Sequence, residues 1–226
     1  MSLTVVFDLD GTLAETAPDL IDALNHVLAL DGIDPVPVEA ARSLLGAGGR
    51  ALIQRGYARA GRDLPKEKLD DLFSVFLAFY NDHIADKSTL FPGVVACLDR
   101  CRAEGWRLAV CTNKMEYSSK LLLEKLGALD YFAFVCGQDT FGVAKPDPAP
   151  LVETVASAGG ELGRAIMIGD SVTDIRTARA AGMPVIAVDF GYTDVPVAEL
   201  GPDQVISHFD ALYEAVLSLT KPASTA

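Results

Sequence analysis

Residues 3–13 read Leu3-Thr4-Val5-Val6-Phe7-Asp8-Leu9-Asp10-Gly11-Thr12-Leu13. A short, β-branched apolar run that ends abruptly on acids predicts a strand buried on both faces. Side chains alternate along a strand, so Asp8 and Asp10 are expected to point to the same side as the chain leaves it. In an open α/β sheet that place, outside the carboxyl ends of the strands, is where ligands bind.

Working outward, the chain shows only helical signals as far as about His83. A helix is predicted over Pro18–Leu30, with Leu20, Leu24, Val27 and Leu28 as its stripe and Gly32 just past its end. A short one over Ala40–Leu45 is closed by Gly46-Ala47-Gly48-Gly49, and Ala51–Ala60 follows, stopped by Gly61. From Pro65, Leu69, Leu72, Phe73, Phe76, Leu77 and Tyr80 recur at helical spacing and read as bundle core. After Phe91-Pro92-Gly93 the pattern changes. Strand-like runs at Arg107–Thr112, Phe132–Cys136, Ala165–Ile168 and Pro184–Val188 alternate with helical stretches around Val94–Ala103, Tyr117–Leu126, Ala149–Ala158 and Asp174–Ala181. Alternation of this kind predicts a parallel sheet covered on both faces. The fold class is therefore α/β: a Rossmann-like parallel core formed by residues 1–13 and 92–226, with a small α-helical domain over residues 14–91 inserted after the first strand. The hinges are expected at Leu13–Ala17 and Asp86–Phe91, and only the tail, Lys221–Ala226, is expected to lack structure.

Composition narrows the function. Half of the 226 residues are hydrophobic, ample for a sizeable core, and the formal net charge is −12. A nucleic-acid binder needs a basic face, and no run of Lys or Arg is present. No segment approaches the ~20 consecutive apolar residues of a membrane span, and the start lacks the basic region of a signal peptide. A cytoplasmic protein is expected. Cys97, Cys101, Cys111 and Cys136 form no CxxC pair and read as small core hydrophobes.

Four predicted strands end in polar residues that could converge. The first ends in Asp8-Leu9-Asp10-Gly11-Thr12, the second in Thr112-Asn113-Lys114; a third is followed, after a loop, by Lys145-Pro146; the fourth ends in Gly169-Asp170-Ser171, with Asp174 shortly after. Neighbouring carboxylates repel unless a cation or a shared proton relieves them. Three acids with few His or Cys nearby favour a hard cation with oxygen ligands, and Mg²⁺ is the natural candidate. Gly11 lets the backbone approach a ligand, Lys145 brings positive charge and Thr112 a hydroxyl donor. This inventory suits displacement at an anionic, oxygen-rich group, and a phosphoryl group fits best. Each piece alone has a plain structural reading: Asp is common in turns, and Asp170 or Ser171 could simply cap the next helix. Their order, each at a strand end, is what carries the functional reading.

Asp8-x-Asp10-Gly11-Thr12-Leu13, Thr112-Asn113, Lys145-Pro146 and Gly169-Asp170-x-x-x-Asp174 resemble the four signature motifs of the haloacid dehalogenase-like superfamily, and the inserted helices resemble its helical cap. Details within it are similar to phosphoglycolate phosphatases: Glu15-Thr16-Ala17-Pro18-Asp19-Leu20, Thr112-Asn113-Lys114, Lys145-Pro146-Asp147-Pro148 and Gly191-Tyr192. Ala14-Glu15-Thr16 departs from that group's common Val-Asp-Ser. The resemblance implies a Mg²⁺-dependent phosphatase acting on a small phosphorylated metabolite. By position, Asp8 is the nucleophile that becomes an aspartyl-phosphate, and Asp10 the acid and then the base. Mg²⁺ is held by Asp8, the Asp10 backbone carbonyl and Asp170, with Asp174 behind it. Thr112, Asn113 and Lys145 hold phosphoryl oxygens. None of these groups reads the rest of the substrate. For a substrate carboxylate the first candidate is Arg50, beside the loop Gly46-Ala47-Gly48-Gly49, with Lys114 as its rival.

Several rivals share parts of this pattern. A dehalogenase has no need of Asp10. A phosphonate hydrolase of this superfamily uses a cap lysine, and no lysine lies between Asp10 and Lys66. A phosphomutase of the β-phosphoglucomutase type shares both aspartates, so the core motifs do not separate it from a phosphatase. A retired binding protein would not need the full set of motif residues.

Overall fold

The computed structural model describes residues 2–38, 44–193 and 195–220. The first strand, β1 (Thr4–Phe7), is wholly buried. It lies between β4 (Arg107–Cys111) and β6 (Ala165–Gly169) in a six-stranded sheet of order β5-β4-β1-β6-β7-β8, where β5 is Phe134–Cys136, β7 Val185–Val188 and β8 Gln204–Ile206. Every pairing in it is parallel. Alternation divides the strands between two cores. Val5, Phe7, Leu108, Val110, Ile166 and Ile168 enter one; Val6, Ala109, Cys111, Ala165 and Met167 enter the other. A sheet buried on both faces needs apolar residues at every position, which is why these strands read as unbroken apolar runs.

Helices α4 (Val94–Ala103), α5 (Glu116–Lys125) and α8 (Leu212–Thr220) supply Leu98, Leu122 and Val216 to the first core; α6 (Ala149–Ser157) and α7 (Val172–Ala180) supply Leu151 and Ile175 to the second. Cys97, Cys101, Cys111 and Cys136 are free and buried, as core hydrophobes would be.

Between β1 and β4 the chain forms α1 (Ala17–Leu30), α2 (Gly49–Arg59) and α3 (Lys66–Asp82), which pack on one another. The stripe on α3 does what its spacing predicts, with Leu69, Leu72, Phe73, Phe76 and Tyr80 all buried. Residues 39–43, most of the helix expected over 40–45, and the tail from Lys221 lie outside the described residues. The two passages into and out of the helical segment meet. β2 (Ala14–Glu15) pairs antiparallel with β3 (Thr89–Leu90), and the Phe91 amide donates to the Leu13 carbonyl (3.0 Å). Asp19, buried in the first turn of α1, accepts from the amides of Lys87 and Ser88 and from the Ser88 hydroxyl (2.6 Å). That carboxylate fastens the second passage to the first helix. No helix among the described residues is long and apolar enough to cross a membrane.

Candidate active site

Strand order decides what meets at the carboxyl edge. β5, β4, β1 and β6 are consecutive neighbours, so the four polar strand ends lie side by side. A pocket between this edge and the helical segment is lined by Asp8, Asp10, Thr112, Asn113, Lys114 and Lys145 from the core, and by Leu20, Leu52, Phe73, Phe76, Leu77 and Tyr80 from the helices.

The acids do not form one row. β1 ends at Phe7, and beyond it the chain turns through Gly11, whose φ of 83° falls in the left-handed region that glycine tolerates. The strand alternation therefore does not extend to Asp10, and the two aspartates have different partners. Asp8 meets Lys145 Nζ at 2.9 Å. The Asp10 carboxylate accepts from Thr16 Oγ1 (2.7 Å) and from Lys114 Nζ (2.9 and 3.0 Å). Asp8 instead gathers with Asp170 and Asp174, their oxygens all within 4.8 Å of one another.

Asp174 carries two loads. One oxygen receives Lys145 Nζ at 2.6 Å. The other accepts from the Asp170 and Ser171 amides and the Ser171 hydroxyl, while Ser171 closes a capping box at the start of α7. The helix-cap reading of Gly169-Asp170-Ser171 is met by Ser171 with Asp174, which leaves the Asp170 carboxylate to the acidic cluster. Asp170 accepts from Thr12 Oγ1 (3.2 Å) and from the Tyr192 amide (2.5 Å).

Three acids share the one ammonium of Lys145 in a buried cluster, so positive charge is short there. Burial, then the neighbouring acids Asp174 and Asp8, drive the Asp170 carboxyl well above its ordinary range. Burial pushes Asp8 up to about 6 against the opposing pull of Lys145. Burial alone would depress the Lys145 ammonium, but Asp174 and Asp8 hold it well above its usual value. Such a cluster is costly without a further cation. Its donors are all hard oxygens, and a divalent metal fits both the charge and the donor set.

Two glycines make room for Asp170. A Cβ on Gly191 would lie 2.3 Å from Asp170 Cβ and Oδ2, and one on Gly11 2.5 Å from Oδ2. Gly191→Ala is expected to displace Asp170 and weaken metal affinity at least about tenfold, as other changes behind metal ligands do, with the fold retained. The dependence of Tm on Mg²⁺ concentration checks this.

The remaining expected residues divide. Asn113 donates its side-chain amide to the Lys145 carbonyl (2.9 Å), tying the second strand end to the lysine loop. Thr112 is buried beside it, its Oγ1 accepting from the Lys114 amide (3.3 Å). Arg50 stands apart: it pairs with Asp70 and lies 4.3 Å over the Phe73 ring, its side chain 46% exposed. Two residues of the site are given no role by the sequence, where Gly191-Tyr192 is only part of the resemblance and Tyr80 reads as bundle core. The Tyr192 hydroxyl accepts from the amides of Thr16 (2.7 Å) and Ala17 (2.9 Å) and donates to Glu15 (2.5 Å), so one residue joins Asp170 to the passage into the helical segment. Tyr80 is buried in the pocket wall, and burial with the nearby Asp10 and Asp19 holds its phenol well above the usual range.

A parallel α/β core with a helical insertion and a carboxylate cluster at its strand ends defines a class of hydrolases, and the chain is a member of it. The model of the haloacid dehalogenase-like hydrolase family matches residues 5–188, and the chain belongs to that family. It is 52% identical over 208 residues to the phosphoglycolate phosphatase of Mesorhizobium japonicum, covering 92% of each chain. It is 44% identical over 216 residues to that of Agrobacterium fabrum, covering 96% of this chain and 93% of the relative. Among solved structures, a predicted phosphoglycolate phosphatase from Haemophilus somnus superposes with a TM-score of 0.88 at 27% identity, covering 95% of this chain and 97% of that one.

Proposed function

We propose that this chain is a Mg²⁺-dependent phosphatase that hydrolyses 2-phosphoglycolate through an aspartyl-phosphate on Asp8. The observation that carries the reading is the separation of the two aspartates: Asp8 lies in the cationic and acidic cluster, Asp10 outside it on Thr16 and Lys114. In this reading Asp8 is the group held against phosphorus and Asp10, apart from the cluster, the one that exchanges a proton with the leaving group.

In the first displacement an Asp8 oxygen attacks phosphorus in line and the ester P–O bond breaks. The leaving alkoxide takes the proton of Asp10. In the second, Asp10 takes a proton from water, whose oxygen attacks the same phosphorus. The bond to Asp8 breaks, releasing inorganic phosphate and the free carboxylate. Lys145, the Thr112 hydroxyl and the Asn113 amide are the donors for the phosphoryl oxygens; the Gly11 amide, expected among them, is taken by the Ala14 carbonyl (2.9 Å). Asp8, Asp170 and the Asp10 backbone carbonyl would hold Mg²⁺, with Asp174 behind them. When bound, the ion neutralises charge between nucleophile and phosphoryl group.

The names of the curated relatives support hydrolysis of this ester over transfer between sugar positions. In the same reading, residues 14–91 act as a cap over a core of residues 1–13 and 92–226, closing on the pocket about the paired β2 and β3. The four free cysteines support a reducing compartment, the cytoplasm. The test is phosphate release across 2-phosphoglycolate, sugar phosphates, nucleoside monophosphates and pyrophosphate. The highest kcat/KM is expected for 2-phosphoglycolate. A higher value for another of these, or interconversion of sugar phosphates without net phosphate release, would overturn the reading.

A further inference from the structure

The groups that handle phosphate are committed to it, and Lys145 is bound on both sides, to Asp8 at 2.9 Å and to Asp174 at 2.6 Å. A second cation lines the same pocket. Lys114 Nζ lies 2.9 and 3.0 Å from the two oxygens of Asp10, its side chain only 6% exposed. An ammonium has three N–H donors and Asp10 takes two contacts, which leaves a donor to spare. The ammonium also sits 4.5 Å from the centre of the Tyr80 ring. The Tyr80 hydroxyl is buried and has no hydrogen-bond partner among the described residues. Native proteins rarely leave a buried hydroxyl so, and one in a pocket wall points to a ligand that completes it. Leu20, Leu52 and Phe76 line the same space, and an apolar surround strengthens a charged hydrogen bond.

We propose that Lys114 and Tyr80 form an anion subsite that recognises the carboxylate of the leaving group. The assignment rests on the phosphatase reading above, because that reading puts the bridging ester oxygen on Asp10. In 2-phosphoglycolate the carboxylate carbon is two bonds from that oxygen. A cation already hydrogen-bonded to the acid that protonates the oxygen is therefore beside the carboxylate. Arg50, exposed and paired with Asp70, is not placed to do this. The subsite selects small phosphomonoesters with an anionic group one carbon from the ester oxygen. It also explains how a chain of net charge −12 accepts a substrate with two anionic ends.

The test compares kcat/KM for 2-phosphoglycolate with that for its amide, 2-phosphoglycolamide, which keeps the shape and lacks the charge. Taking the ratio cancels any general damage to catalysis. The wild type is expected to favour the acid by about tenfold to a hundredfold, the range for a hydrogen bond to a charged group. Lys114→Met is expected to remove most of that preference, chiefly through KM, with Lys114→Arg restoring part of it. Tyr80→Phe, which keeps the ring packing and removes only the hydroxyl, is expected to lower the ratio severalfold and serves should Lys114→Met not fold. A wild type that prefers the acid, with variants that keep the whole preference, overturns the subsite alone. A wild type that does not distinguish acid from amide overturns the substrate reading and the subsite with it.

Discussion

Asp8→Asn is expected to lower kcat by at least about a thousandfold, the scale on which covalent nucleophiles are lost, while the protein still folds. The amide has nearly the shape of the carboxylate but lacks the negative charge, and with it the nucleophilicity, needed to attack phosphorus. Folding survives for a reason legible in the cluster. Asp8 is one of three gathered acids, and Lys145 keeps its 2.6 Å bond to Asp174 when Asp8 is neutral. Because burial lifts the Asp8 carboxyl from 3.8 to about 6, the folded metal-free protein binds that proton more tightly than the unfolded chain. Its contribution to stability is then fully present below about pH 3.8 and is lost as pH rises through 6. The metal-free Asn variant is expected to lose this part of the pH dependence and to be at least as stable as the wild type at pH 7. Steady-state kinetics and Tm against pH check the two halves. Substantial activity in the variant would sink the assignment of the nucleophile.

Removing the metal is expected to have an effect of the same order. Chelation with EDTA should reduce turnover to background and Mg²⁺ should restore it. The cluster gathers three acids around one ammonium, and Asp170, held by Thr12 and the Tyr192 amide and pushed upward by burial and its acidic neighbours, is the carboxyl most relieved by a dication. Asp170→Asn should therefore raise the stability of the metal-free protein at neutral pH and abolish the rise in Tm that Mg²⁺ gives the wild type. Ca²⁺ should inhibit, since its larger and looser shell misplaces the nucleophile. Full activity with Ca²⁺, or with EDTA, would contradict the site as described.

Much of the fold is legible in the sequence alone. The β-branched run at Thr4–Phe7, the helical stripe from Leu69 to Tyr80 and the alternation after Pro92 report on burial, and burial is what sequence periodicity encodes. Strand ends are legible because Asp8, Thr112 and Asp170 each interrupt an apolar run. What escapes depends on contacts between distant parts of the chain. The two-residue strands β2 and β3 are too short to show a period. β8, Gln204–Ile206, is a three-residue edge strand with only Ile206 buried. The divergence of Asp8 and Asp10 follows from the turn at Gly11, where strand alternation no longer holds. The sequence puts Arg50, beside its glycine loop, ahead of Lys114 as a carboxylate partner, and neither residue's neighbours tell which way its side chain turns. Asp70 claims one and Asp10 the other. Tyr192 lies 22 residues beyond Asp170 and 176 beyond Thr16 and holds both, a link no local pattern can announce.

The central claim is that phosphorus is attacked twice, first by Asp8 and then by water. The stereochemical course at an isotopically chiral thiophosphoryl group, hydrolysed in water carrying the third oxygen isotope, tests it directly. Each in-line displacement inverts phosphorus, so overall retention is expected when the phosphoryl group ends on water or an acceptor alcohol. Overall inversion would mean a single direct displacement by water, with no aspartyl-phosphate at Asp8, and would contradict it.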